Sequence, residues 1–280
     1  MIFSFVSESS VGISTSLSGL NPEEWAKTLV KLGCRSVVFP VDCDADPSVI
    51  QEYADQAAAN GLMIAEVGIW RNAISEDPAN AGKNLDYSVR QLILADRIGA
   101  KCCVNVAGAV GKRWDGGYRE NFGKYAMDKT IAMIQKVIDE AKPVNTFFTI
   151  ESMPWMIPTG PQEYLQLLRD VDRDRFAAHL DIINMINNPQ RYFFSDEFID
   201  ECFEILGPYI KSCHLKDIRL LDEYTFQLKE CACGEGSFNY VKYMRAADKI
   251  NPDMPMIIEH LKNDNEYAES VGKVLTDYNG

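Results

Sequence analysis

The sequence is short of basic residues and of histidine: 28 Lys plus Arg stand against 41 Asp plus Glu, with 3 His in 280 residues. The formal charge of -13 excludes nucleic acid as a general partner, since a polyanion is repelled unless basic residues cluster, and no basic run occurs. No stretch approaches the roughly 18 to 20 consecutive apolar residues of a membrane-spanning helix. Residues 1–10 lack the basic start and cleavage site of a secretory signal, so no membrane partner and a cytoplasmic location are expected. There is no CxxC. Cys231 and Cys233 form a lone CxC with no second pair to complete a zinc site. With 46% hydrophobic residues the chain can bury a core without a disulfide framework, and its eight cysteines are expected to be reduced. Neither a GxGxxG fingerprint in the first turn nor a Walker sequence is present. No linker or composition shift divides the chain, so residues 1–280 are expected to form one domain.

What is present is alternation. Short β-branched or aromatic runs at 2–6, 36–41, 62–69, 101–106, 146–150, 176–180, 210–214 and 255–259 predict eight strands. Helical patterns follow them, the first from the cap Asn21 and Pro22 to near Gly33, the others near 47–60, 84–99, 121–141, 161–170, 195–206, 238–249 and 264–276. Shared among eight units, 280 residues leave about 35 each, the size a (β/α)8 TIM barrel requires. A doubly wound open sheet competes on strand count alone. Gly-rich segments at 111–117 and 234–236 fall between a strand and the next helix, where barrel active-site loops belong.

Barrel chemistry sits at the C-terminal ends of the strands. Four consecutive runs close on Glu151, Asp181, His214 and Glu259. Around a barrel mouth these side chains can converge, and three carboxylates with one imidazole repel one another unless a cation sits among them. Such an oxygen-rich set suits one divalent ion, Mn, Mg, Co or Zn. Any one acidic residue alone reads better as a cap or a solvated strand end; the metal reading rests on all four in order.

The pieces Ile150-Glu151-Ser152, Leu180-Asp181, His214-Leu-Lys216-Asp217, Gly234-Glu-Gly236 and Ile258-Glu259 resemble the xylose isomerase-like barrel superfamily, in particular its sugar phosphate isomerase/epimerase group. That group includes ketose 3-epimerases, hydroxypyruvate isomerase and inosose dehydratase. The resemblance implies that Glu151, Asp181, His214 and Glu259 bind one divalent metal and that the two glutamates exchange the substrate proton. It also implies a small sugar-like substrate and, in many relatives, pairing of barrels into a homo-oligomer. Tyr192, Phe193 and Phe194 would serve such an interface, or pack in the core. Two departures stand out: Asn184 occupies the place of a His common in ketose 3-epimerases, and Ile157 and Leu220 stand near positions where those enzymes have Glu and Arg. The HxKD form with Lys216 is closer to inosose dehydratase.

The expected activity is therefore metal-assisted isomerisation or epimerisation, with a dehydratase or lyase as the close alternative and a non-catalytic sugar-binding barrel as the further one. Lys216, two residues beyond His214, points into the same mouth and would stabilise an enolate oxygen or pair with a ligand carboxylate. His179 is expected beneath the metal and His260 to face the helices. Glu66 and Asn105 are candidates to contact substrate hydroxyls, and the loop rings Trp70, Trp114, Tyr118 and Trp155 can stack on a sugar, with Trp114 as the lid candidate. Gly234-Glu-Gly236 reads either as a phosphate cradle or as a turn.

Overall fold

The computed structural model describes residues 9–14, 17 and 19–280. Strands and helices alternate in chain order: β1 (Ser10–Ile13), α1 (Pro22–Leu32), β2 (Ser36–Val38), α2 (Pro47–Ala59), β3 (Met63–Gly68), α3 (Pro78–Ile98), β4 (Cys102–Val106), α4 (Lys124–Ala141), β5 (Phe147–Glu151) and α5 (Pro161–Val171). Then follow β6 (Phe176–Leu180), α6 (Ile182–Met185), α7 (Pro189–Phe193), α8 (Ser195–Leu206), β7 (Ile210–Leu215), β8 (Asp217–Leu220), β9 (Leu228–Cys231), α9 (Tyr240–Ile250), β10 (Pro255–Ile258) and α10 (Asp264–Asn279). The helix starts follow the sequence logic. Asn21 accepts from the Glu24 amide and Glu24 reaches back, a capping box, and α1 stops at Gly33 with φ 93°.

Eight strands form one parallel sheet in the order β1, β10, β7, β6, β5, β4, β3, β2. The Arg35 N–H donates to Val11 O at 2.9 Å and the Ser36 hydroxyl to Ser10 O at 2.7 Å, so β2 meets β1 and the sheet closes into a (β/α)8 TIM barrel ringed by helices. Gly12 is required at this seam, because a Cβ there would lie 2.4 Å from the Ser36 carbonyl oxygen.

The run at 2–6, read as the first strand, lies outside the described residues. The barrel's β1 is instead Ser10–Ile13, in the segment read as a turn, and it pairs in parallel with β10. The short antiparallel hairpin β8–β9, between β7 and α9, is an addition the alternation did not predict. Among the described residues no helix is long and apolar enough to cross a membrane. All eight cysteines are free.

Candidate metal centre

Along β7 the side chains alternate, so Ser212 and His214 point into the barrel while Cys213 and Leu215 face the helices. Glu151 closes β5 and Asp181 follows β6, while Glu259 follows β10, the neighbour of β7. One ligand atom from each of Glu151, Asp181, His214 and Glu259 lies within 4.8 Å of the others. His214 Nδ1 is 3.0 Å from Glu259 Oε2, 3.2 Å from Glu151 Oε1 and 3.8 Å from Asp181 Oδ2. All four residues are buried, from Asp181 at 0% exposure to Glu259 at 6%.

Lys216 joins them, with Nζ 2.8 Å from Asp181 Oδ2, in contact with Glu259 Oε1, and 3.6 Å from Glu230 Oε2. Of the two roles open to it in the sequence, the pairing with ligand carboxylates is the one its geometry displays. Asp181 Oδ2 nevertheless receives no well-aligned hydrogen bond. Three carboxylates and an imidazole drawn together in one buried volume are a donor set that fits a divalent ion.

Charge and burial compete throughout. Burial raises the Glu151 carboxyl above its ordinary range, against the pull of His214 and with a push from Glu259. Burial also penalises the charged form of Glu259, but His214 and Lys216 outweigh it and bring that carboxyl down to about 2. Asp181 is likewise held well below the carboxylate range, burial being overcome by Lys216 and His214. Burial would lower His214, yet Glu259, Glu151 and Glu66 raise it well above the usual imidazole value. Two carboxyls in one site are thus driven apart, the arrangement that separates acid and base roles.

Behind His214 lies a second buried group, Glu66, His179 and His214, again with ligand atoms within 4.8 Å of one another. His179 Nε2 is 3.0 Å from Glu66 Oε1, His214 Nε2 is 3.4 Å from Glu66 Oε2, and the Ser212 hydroxyl donates to Glu66 Oε1. His179 therefore sits beneath the centre, as its position two residues before Asp181 predicts.

A family profile described as "Xylose isomerase-like TIM barrel" matches residues 26–277. The chain belongs to this family. Among solved members of the fold, one similar structure is the probable 3-DHS dehydratase AsbF involved in petrobactin synthesis from Bacillus anthracis. It has 16% identity and a TM-score of 0.73, with 95% of this chain and 98% of that one covered. The D-psicose 3-epimerase of Clostridium cellulolyticum H10, solved with D-tagatose, aligns at 14% identity and TM-score 0.71 over 96% and 98%. A xylose isomerase-like TIM barrel protein from Mycobacterium smegmatis, in complex with magnesium, aligns at 19% identity and TM-score 0.68 over 95% of each chain. No curated protein sequence matches the chain.

The remaining candidates of this xylose isomerase-like barrel occupy varied places. Asn105 uses its side-chain amide on the backbone of Arg71, accepting at 3.1 Å and donating at 3.0 Å. Trp70 lies over the site, its ring centroid 6.5 Å from that of His214. Trp114 and Trp155 are surface-exposed at 42% and 36%. Trp155 Nε1 donates to Asp115 O at 2.7 Å, and Asn121 Nδ2 donates to both Gly116 O and Trp155 O, so the loops after β4 and β5 are laced together. Phe193 and Phe194 are exposed while Tyr192 is half-buried.

Gly234 and Gly236 are a turn and not a phosphate cradle: their amides donate to Asp217 Oδ2 at 3.0 and 2.9 Å. His260 departs from the expectation that it faces the helices. Its φ of 60° turns the ring to the mouth, where Nδ1 is 2.9 Å from Glu230 Oε1 and Nε2 is 3.4 Å from Glu259 Oε2. Sequence reasoning missed Glu230, Ser212 and the role of Asn184, whose Nδ2 donates to Glu151 Oε1 at 3.0 Å. Asn184 carried a signal, three residues beyond Asp181. Glu230 carried none, because the hairpin that brings it in was not foreseen.

Proposed function

We propose that this protein is a divalent-metal-dependent enzyme that removes the proton next to the carbonyl of a sugar, sugar phosphate or keto-polyol and returns it, as an isomerase or epimerase. The observation that carries this reading is the convergence of Glu151, Asp181, His214 and Glu259 at one buried point. Glu151, Asp181, His214 and Glu259 would hold the divalent ion, whose positive charge would stabilise the negative charge that develops on the substrate oxygens.

Glu151 is the better placed base. Its Oε1 is engaged by Asn184 and faces His214, while among the described residues no donor reaches Oε2. Glu259 has both oxygens engaged, Oε1 by Lys216 and Oε2 beside His214 and His260. Trp70 offers an apolar ring beside the centre, suited to one face of a sugar. The eight free thiols support a reducing, cytoplasmic setting.

The ion pair of Lys216 with Glu259 favours a second reading. A tied Glu259 is a poor partner for returning a proton, whereas a β-hydroxyl leaving from the same carbanion, protonated to water by the Lys216 ammonium, completes a dehydration. Incubation with ketoses and keto-polyols in deuterated water, with and without Mn2+, tests both. Metal-dependent deuterium uptake next to the carbonyl is expected, and β-elimination marks the second reading. A sensitive panel giving neither exchange nor product refutes the proposal. Absence of a stoichiometric divalent ion after supplementation points instead to a non-catalytic sugar-binding barrel.

A further inference from the structure

His214 has a nitrogen on each side of a boundary. Nδ1 looks up at the carboxylates of Glu259, Glu151 and Asp181, while Nε2 looks down at Glu66. Only a neutral imidazole with its proton on Nε2 offers a lone pair from Nδ1 to an ion, and the tautomer is decided by what Nε2 meets. In this chain Nε2 meets Glu66 Oε2 at 3.4 Å.

Glu66 belongs to β3, which is separated from β7 by β4, β5 and β6, so its carboxylate crosses the barrel interior to reach the ring. It is held there. Its other oxygen, Oε1, faces His179 Nε2 at 3.0 Å and accepts from the Ser212 hydroxyl. Ser212 is two residues before His214 on the same inward face of β7, and His179 is on the neighbouring β6. Glu66, His179, Ser212 and His214 are all at most 2% exposed, so no bulk water competes for these bonds. No lysine or arginine pairs with Glu66 among the described residues.

We propose that Glu66 is the positioning residue of this centre: it keeps the proton of His214 on Nε2 and so presents Nδ1 to the ion, with His179 and Ser212 fixing Glu66 in place. This rests on the reading of Glu151, Asp181, His214 and Glu259 as the set that holds the ion.

The test uses the full-length protein and metal alone. In the wild type loaded with Mg2+, 15N-correlated spectra of the imidazoles show His214 as the Nε2–H tautomer, and Mn2+ titration gives one ion per chain. Glu66→Met removes the acceptor and weakens Mn2+ binding by about 10- to 100-fold, the range seen when such outer partners are lost. Glu66→Gln removes the charge but keeps one acceptor. Among the described residues His179 Nδ1 has no partner, so His179 can exchange tautomers, accept from the new amide and leave the Gln oxygen to His214. Glu66→Gln therefore retains the tautomer and most of the affinity.

Equal losses in the two variants show an effect of charge alone and overturn the positioning role, as does unchanged affinity in Glu66→Met. Two ions per wild-type chain, or an Nδ1–H tautomer in the loaded wild type, overturn it without any variant having to fold. A wild type that takes up no divalent ion instead brings down the reading of the centre, and this proposal with it.

Discussion

Asp217 organises the loop that delivers Glu230 to the metal centre, and replacing it by asparagine removes that organisation without changing its shape. Its Oδ1 accepts from the amides of Ile218 at 2.7 Å and Phe238 at 2.9 Å, and its Oδ2 from Gly234 at 3.0 Å and Gly236 at 2.9 Å. The residue is 1% exposed. In Asp217→Asn one oxygen still serves two donors, but an NH2 now faces the other two N–H groups. Two hydrogen bonds to a charged group, at about 1.5–3 kcal/mol each, give a loss of about 3–6 kcal/mol. Local opening of the segment from β8 to α9 limits the loss seen in global unfolding, so amide exchange is the sharper assay. A loss of about 3 kcal/mol in local stability accelerates exchange at Gly234 and Gly236 roughly 100-fold. Acceleration below about threefold in a folded Asp217→Asn protein refutes the reasoning.

Other outcomes follow from the same geometry. Lys216→Met removes an ammonium 2.8 Å from Asp181 Oδ2; like charges about 4 Å apart at an effective dielectric near 20 repel by about 4 kcal/mol, so calorimetry should show Mn2+ binding at least 100-fold tighter while turnover falls. His214 is held well above the ordinary imidazole value, because Glu259, Glu151 and Glu66 outweigh the effect of burial, so the metal-free protein carries a proton there that binding must expel. Metal affinity accordingly falls as pH is lowered, by about tenfold per unit while His214 is protonated, and titration in two buffers of different ionisation heat should detect about one proton released. Gly12→Ala places a Cβ 2.4 Å from the Ser36 carbonyl oxygen and 2.8 Å from Ile257 Cδ1, and a urea midpoint equivalent to at least about 2 kcal/mol of destabilisation is expected.

The parallel barrel was legible because its strands are buried on both faces and so stand out as near-continuous apolar runs between helical patterns. The four residues that converge at the centre were legible because each ends such a run. β1 was not, since Ser-Val-Gly-Ile is short and holds the glycine that closure demands, which reads as a turn. α3 starts at Pro78, ahead of the expected 84, with Asp77 as its cap. Glu66 was visible as an ionisable residue in a strand, but its partners are not: contacts from β3 to β6 and β7 depend on the barrel's closure and not on sequence spacing. His260 was misjudged because strand alternation was carried two residues past the end of β10, into a residue with positive φ.

The four residues that converge on the centre come from β5, β6, β7 and β10, which are successive neighbours in the sheet. Among the described residues, the strands β1 to β4 contribute Glu66 beneath the centre, and Trp70 after β3 lies over it. The two halves are therefore separable under selection. Changes in the loops after the early strands can reshape the mouth of the barrel without displacing the four residues that the later strands bring together.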